Sequence, residues 1–146
     1  MKTFEDFMKT FSKIEPLSNF KIIDKCKELK IRNFKGVFMR DELNGKATDN
    51  ECLILNIDHS SNKGTHWVSL FIKHGICYYF DSYGFQPPNE AVKYCDGIRE
   101  RRYSTFKIQK PGQVICGHFC IYVLLKLGHD VDFCNIMDEL YRFNIK

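Results

Sequence analysis

Cys116 stands where the turn Lys110-Pro111-Gly112-Gln113 gives way to the string Cys-Gly-His-Phe-Cys-Ile-Tyr-Val-Leu-Leu-Lys-Leu. That string is apolar on nearly every side, which for a helix means burial all round. Its first turn carries unbonded backbone N–H groups and the positive end of the macrodipole, and both favour a thiolate. Gly117 leaves room beside the sulfur for a substrate backbone. The plain alternative is a core cysteine that happens to open a helix.

A thiol nucleophile needs a base within hydrogen-bond reach, and the base needs a group to orient it. Two apolar runs, 66–72 and 76–80, are separated by Lys73-His74-Gly75 and read as a hairpin. A turn centred near His74 puts position 66 opposite position 82, within one or two residues. His66 and Asp81 therefore come to the same end of adjacent strands, where an Asp fixes the tautomer of a His and favours the imidazolium. Strand parity stays open, because a slip of one residue turns a side chain to the other face. His118 is the rival base, but two residues beyond Cys116 on a helix it points away from the sulfur. His59, His74 and His129 read as loop residues. Cys116, His118 and Cys120 match no zinc-site spacing, so no metal is expected. The chain has no Gly-rich phosphate loop, no GxSxG and no HExxH.

Around these residues the pattern predicts an α+β domain: a small mixed sheet packed by helices, with the Cys116 helix buried at its centre. Phe4, Phe7, Met8, Phe11 and Ile14 recur at helical spacing behind a Thr3/Asp6 capping box, and Pro16 ends the pattern. A second helix runs from Ser18 or Asn19 to about Lys30, with Ile22, Ile23, Cys26 and Leu29 on one face. Short strands are expected at 36–39, 52–57 and 106–108, a polar loop at 40–51, and a helix over 91–102. The last helix carries Phe133, Ile136, Met137, Leu140 and Tyr141. No repeat, linker or low-complexity segment divides the chain, so residues 1–146 read as one domain.

With 146 residues, 44% hydrophobic and 27% charged, the chain can bury a core without disulfides or metal. Seven Cys, an odd count with no C-x-x-C, point to a reducing compartment. No apolar run reaches the ~20 residues of a membrane helix, and the first residues do not read as a signal peptide. The net charge is +4. Its surplus lies in residues 1–36, which hold 9 Lys/Arg and 5 Asp/Glu. Alternation of sign there reads as a solvated helix face; a nucleic-acid contact is the other reading.

Gly64-Thr65-His66-Trp67, Phe80-Asp81-Ser82-Tyr83-Gly84-Phe85, Gln109 and Cys116-Gly117-His118-Phe119-Cys120 stand in the order His-Trp, Asp, Gln, Cys-Gly. Over about residues 34–127 this resembles the adenain-type cysteine proteases: the adenovirus maturation protease and its relatives in viruses and Polinton/Maverick-type elements. The wider group contains the ubiquitin-like-protein proteases. Phe34-Lys35-Gly36-Val37-Phe38-Met39-Arg40-Asp41-Glu42-Leu43 is also similar to the element and virus versions.

The resemblance implies Cys116 as nucleophile, His66 as base, Asp81 as orienting acid and Gln109 as oxyanion-hole side chain. Trp67 would line the channel that admits small residues before the scissile bond, beside Gly117. Gln113 is nearer to Cys116 than Gln109 is. A turn with Pro111 and Gly112 at its centre, however, swings Gln109 back toward the helix start and sends Gln113 to solvent.

The implied function is a thiol endopeptidase that processes viral or virus-like capsid and core precursors after Gly-type residues. It would be an intracellular monomer of the host cytoplasm or nucleus, also packaged in virions, with no membrane association and no cofactor. Adenain has a disulfide-tethered peptide activator and a DNA activator. Here no Cys stands at the tethering position, Cys95 being nearest, while Arg99, Arg101 and Arg102 leave weak DNA binding open. The alternatives are a deconjugating protease for a ubiquitin-like modifier (for which the chain is short), a silent binding module on the same fold, and an acyltransferase with the same triad.

Overall fold

The computed structural model describes residues 3–61 and 66–145. Gly64 and Thr65 of the His-Trp motif, and Met1 and Lys2, lie outside the described residues. Five strands form one mixed sheet in the order β1-β2-β3-β4-β5. They are β1 (Phe34–Met39), β2 (Glu51–Asn56), β3 (Trp67–Lys73), β4 (Ile76–Phe80) and β5 (Glu100–Tyr103). The two edge strands pair in parallel with their neighbours and the two inner pairings are antiparallel. Among the described residues there are also five α-helices: α1 (Phe4–Met8), α2 (Asn19–Glu28), α3 (Asn89–Tyr94), α4 (Cys116–Gly128) and α5 (Phe133–Ile145). The class is the expected α+β.

Both faces of the sheet are covered, which is why β2, β3 and β4 are mainly apolar instead of alternating. Cys52, Ile54, Phe71, Tyr78 and Phe80 face the helices α1, α2, α4 and α5. Leu53, Leu55, Leu70, Ile72 and Tyr79 face the opposite way, toward Ala91 and Tyr94 of α3. Helix α4 crosses the first face, and nearly all its residues from Gly117 to Leu127 are buried. Each of its fully buried Leu, Ile or Phe side chains contributes about 1.5–3 kcal/mol, so the helix carrying Cys116 is among the best anchored parts of the molecule.

The N-terminal helix is shorter than its periodicity predicts. The Thr3/Asp6 capping box forms, but the helix stops at Met8. Phe11 leaves the helical path to pack edge-on against Phe7 and the His118 ring, and Ile14 is exposed. The 91–102 helix is also corrected. It ends at Tyr94, and after Gly97 the chain becomes β5, paired with β4 from Ile76 to Tyr79. No strand forms at 106–108, because the N–H groups of Ile108 and Gln109 both donate to the Ser82 carbonyl instead of entering a ladder.

His118 is 0% exposed, and neither ring nitrogen has a hydrogen-bond partner among the described residues. Burial, and then the nearby Lys25 charge, push its pKa down to about 4. The unfolded chain takes up this proton near pH 6.5 and the native state does not. Stability therefore falls as the pH drops through the window from 6.5 to 4, and the native fold should lose about 2 kcal/mol between pH 7.5 and 5 through this group. Urea unfolding at the two pH values checks this: His118→Leu should lose that much less than the parent. An equal loss in both proteins counts against the assignment.

Candidate active site

The β3–β4 hairpin turns through His74 and Gly75, both with positive φ, and pairs Lys73 with Ile76. A two-residue turn of this kind suits the twist of the strands it joins. Its centre lies between His74 and Gly75, so the register, carried on from Ser69↔Phe80, runs one residue beyond the expected alignment. His66 and Asp81 still meet. His66 Nε2 donates to Asp81 Oδ1 at 2.7 Å, and both residues are buried. The same carboxylate oxygen accepts from the Tyr83 N–H at 2.8 Å, and the Tyr83 ring lies 4.6 Å from the His66 ring. Ser104 grips the Asp81 backbone from both sides, accepting from its N–H and donating to its carbonyl. Gly84 has φ +73, and a Cβ there would lie 2.8 Å from the Phe106 backbone. Only glycine lets the 104–109 segment pass so close.

Cys116 is the first residue of α4, and no side chain caps the helix there. The His66 side chain and the backbone N–H groups of Trp67 and Gly117 lie close enough to its sulfur to act on its ionisation. With Nε2 engaged by Asp81, Nδ1 is the ring nitrogen left for the sulfur. Burial opposes ionisation of the thiol; the His66 bond and those N–H groups outweigh it and hold the pKa below that of an ordinary cysteine. Burial likewise works against a charged His66, and the hydrogen bonds to Asp81 and then Cys116 outweigh it, raising its pKa to about 9. Each shift favours the charged form of its group, a thiolate at Cys116 and an imidazolium at His66. Cys26 and Cys52, by contrast, are pushed up to about 12 by burial, and Cys120 is raised well above the ordinary value by the same cause.

Cys116, His66 and Gln109 share a cleft of about 460 Å³, walled by Leu17, Val37 and Met39 among others. Gln109 is 2% exposed, and its Nε2 donates to the Gln113 carbonyl at 2.6 Å. The turn after Gln109 forms as expected, with Gly112 at φ +83 and the Gln113 N–H donating to the Lys110 carbonyl. Gln113 does not leave toward solvent, however. Its side chain pairs with Asn144 of α5 and accepts from the Lys110 N–H. The open space expected beside Gly117 is filled too: a Cβ there would lie 3.3–3.5 Å from Trp67, Leu17 and Ile22. Gly117 thus lets Trp67 lie against the start of α4, and the Trp67 indole N–H donates to the Leu17 carbonyl at 3.0 Å. His118 is buried against Phe11, away from the cleft.

Arg99 is exposed, while Arg102 and Arg101 pair with Glu100 and Asp96. Among the described residues no group of three or more His, Cys, Asp or Glu converges on a metal position. No helix among them is long and apolar enough to cross a membrane.

The fold is that of a viral cysteine protease. The crystal structure of the ASFV pS273R protease superposes with a TM-score of 0.63 at 17% identity, over 88% of this chain and 66% of that one. No protein-family model matches the sequence. Among curated proteins it is similar to the cysteine protease S273R of African swine fever virus (isolate Tick/Malawi/Lil 20-1/1983), at 32% identity over 123 residues. It is also similar to the SUMO-1 cysteine protease S273R of the Pig/Kenya/KEN-50/1950 isolate, at 24% over 123 residues. Each match takes in 68% of this chain and 45% of the relative, so the chain spans under half the length of these relatives.

Proposed function

We propose that this chain is a thiol peptidase of the ubiquitin-like-protein protease type, cutting after Gly-type residues at the C-terminus of a SUMO-like modifier. Cys116 at the start of α4, sharing a cleft with a His66 that Asp81 holds at 2.7 Å, carries this reading, since a thiol beside an oriented base is the arrangement that attacks a peptide carbonyl. In the reaction Cys116 Sγ adds to the carbonyl carbon, and the oxygen takes negative charge against the Gln109 amide and backbone N–H groups. The His66 imidazolium gives its proton to the leaving amine, and a thioester remains. Neutral His66, held by Asp81, then takes a proton from water, whose oxygen adds to the thioester and restores the thiolate. This sequence uses no metal and no organic cofactor.

The name of the SUMO-1 cysteine protease supports the modifier as substrate. The viral source of the relatives favours a second reading, cleavage of capsid or core precursors. A SUMO carrying a C-terminal vinyl sulfone separates the two. It should form an adduct with the parent protein and none with Cys116→Ala. Cleavage confined to Gly-containing peptides from viral core precursors, with no SUMO adduct, would transfer the assignment to the second reading. Failure of both would reject the peptidase itself.

A further inference from the structure

Gln109 is held at both ends of its amide. Its Oε1 accepts from Ser82 Oγ at 2.6 Å while its Nε2 donates to the Gln113 carbonyl at 2.6 Å. A main-chain carbonyl only accepts, so the amide cannot flip without setting two carbonyl oxygens against each other. One N–H is spent on Gln113, and the other remains for an oxyanion.

Ser82 follows Asp81 directly. Its backbone carbonyl accepts from the N–H groups of Ile108 and Gln109 at 2.8 and 2.9 Å, and its hydroxyl takes the side chain. The orienting acid and the support for Gln109 are thus consecutive residues.

The Gln113 carbonyl needs fixing in turn. Asn144, 5% exposed near the end of α5, donates from Nδ2 to the Ile108 carbonyl and to Gln113 Oε1, the latter at 2.9 Å. Its Oδ1 accepts from Gln113 Nε2 at 3.1 Å. It bridges the two limbs of the 108–113 turn.

We propose that Ser82 and Asn144 are positioning residues for Gln109: Ser82 sets the orientation of its amide, and Asn144 locks the turn that presents the Gln113 carbonyl to it. Helix α5, which supplies none of the residues lining the cleft, thereby controls the oxyanion wall. The inference rests on Gln109 being the oxyanion donor of the proposed peptidase.

A double-mutant cycle on a fluorogenic peptide amide ending in Gly-Gly tests it. Gln109→Ala should lower kcat by about 10²–10³ with KM little changed. Ser82→Ala and Asn144→Ala should each lower kcat on the order of 10–100-fold, as misplacement of a catalytic group does. In the Gln109→Ala background either change should cost less than about twofold. If Gln109→Ala has no effect on kcat, the oxyanion reading fails. If it has its effect while the Ser82 and Asn144 losses are absent, or persist without Gln109, this proposal fails and the peptidase stands. A second measurement needs no substrate. The side-chain amide signals of Gln109 in ¹⁵N spectra, identified by their loss in Gln109→Ala, should shift in both Ser82→Ala and Asn144→Ala. Unchanged signals in both overturn the proposal. Ser82→Ala removes one buried oxygen and leaves the turn intact, so it remains informative if Asn144→Ala does not fold.

Discussion

Cys116→Ala should abolish peptide cleavage and leave the fold standing. No other described group can replace the sulfur: the next cysteine on the helix, Cys120, is fully buried, and its thiol is held protonated by burial. Alanine is the best helix former, and the side chain lost is only partly buried. The expected cost is about 1 kcal/mol or less, or roughly 2–4 °C in Tm at this chain length. Cys120→Ala should show the opposite pattern, with activity kept and some stability lost from the α4 core. Iodoacetamide followed by peptide mapping adds an independent check. At neutral pH Cys116 should be alkylated before the exposed Cys134, because His66 beside the former lowers its pKa. Faster labelling of Cys134, with cleavage surviving in Cys116→Ala, would remove Cys116 from the mechanism.

The second large effect belongs to His66. His66→Ala should lower kcat/KM on the order of 10⁴–10⁶-fold, the scale of losing one member of such a triad. His118→Ala should cost little beyond stability. The pH profile is the sharper measurement. Activity should climb as the thiol ionises, below the ordinary cysteine range because the Cys116 pKa is lowered. It should fall again as the imidazolium loses its proton near pH 9. Both limbs belong to the Cys116–His66 pair and not to either group alone. Without His66 the alkaline limb should vanish and the acid limb should move up toward the value of a free thiol. A profile unchanged in position, merely scaled down, would show that His66 is not the partner of the sulfur.

Those two residues were legible in the sequence for a local reason. The hairpin brings His66 and Asp81 together across a separation of only 15 residues. The apolar string after Cys116 is long enough for its period to be unambiguous. The errors arose where a short segment answers to distant partners. Residues 100–103 look helical beside Ala91–Tyr94, but β4 offers an unpaired edge and takes them as a strand. Phe11 fits the helical repeat of the first segment and leaves it to cover His118. Gln113 looked solvent-bound because its partner comes 31 residues later.

Ser82 and Ser104 were missed as site residues because a buried hydroxyl leaves no periodic mark. Asn144 did leave one. It stands on the face of α5 defined by Met137 and Leu140, both buried. A polar amide at a core-facing helix position requires a partner, although the pattern alone does not say which.

The separations of these contacts also set an order in time. The His66–Asp81 bond closes 15 residues, Ser82–Gln109 closes 27, and Gln113–Asn144 closes 31. The entropic difference between the first two is only about 0.5 kcal/mol, but during synthesis they become available in sequence. The β3–β4 hairpin can form within microseconds once it leaves the ribosome. At that stage the polypeptide holds a base and an acid and has no nucleophile to use them. The sulfur follows with α4, and the amide clamp comes only with the far end of α5. A growing chain therefore sets its thiol beside His66 only when α4 has been translated, and gains the clamp on the Gln109 amide last of all, with the far end of α5.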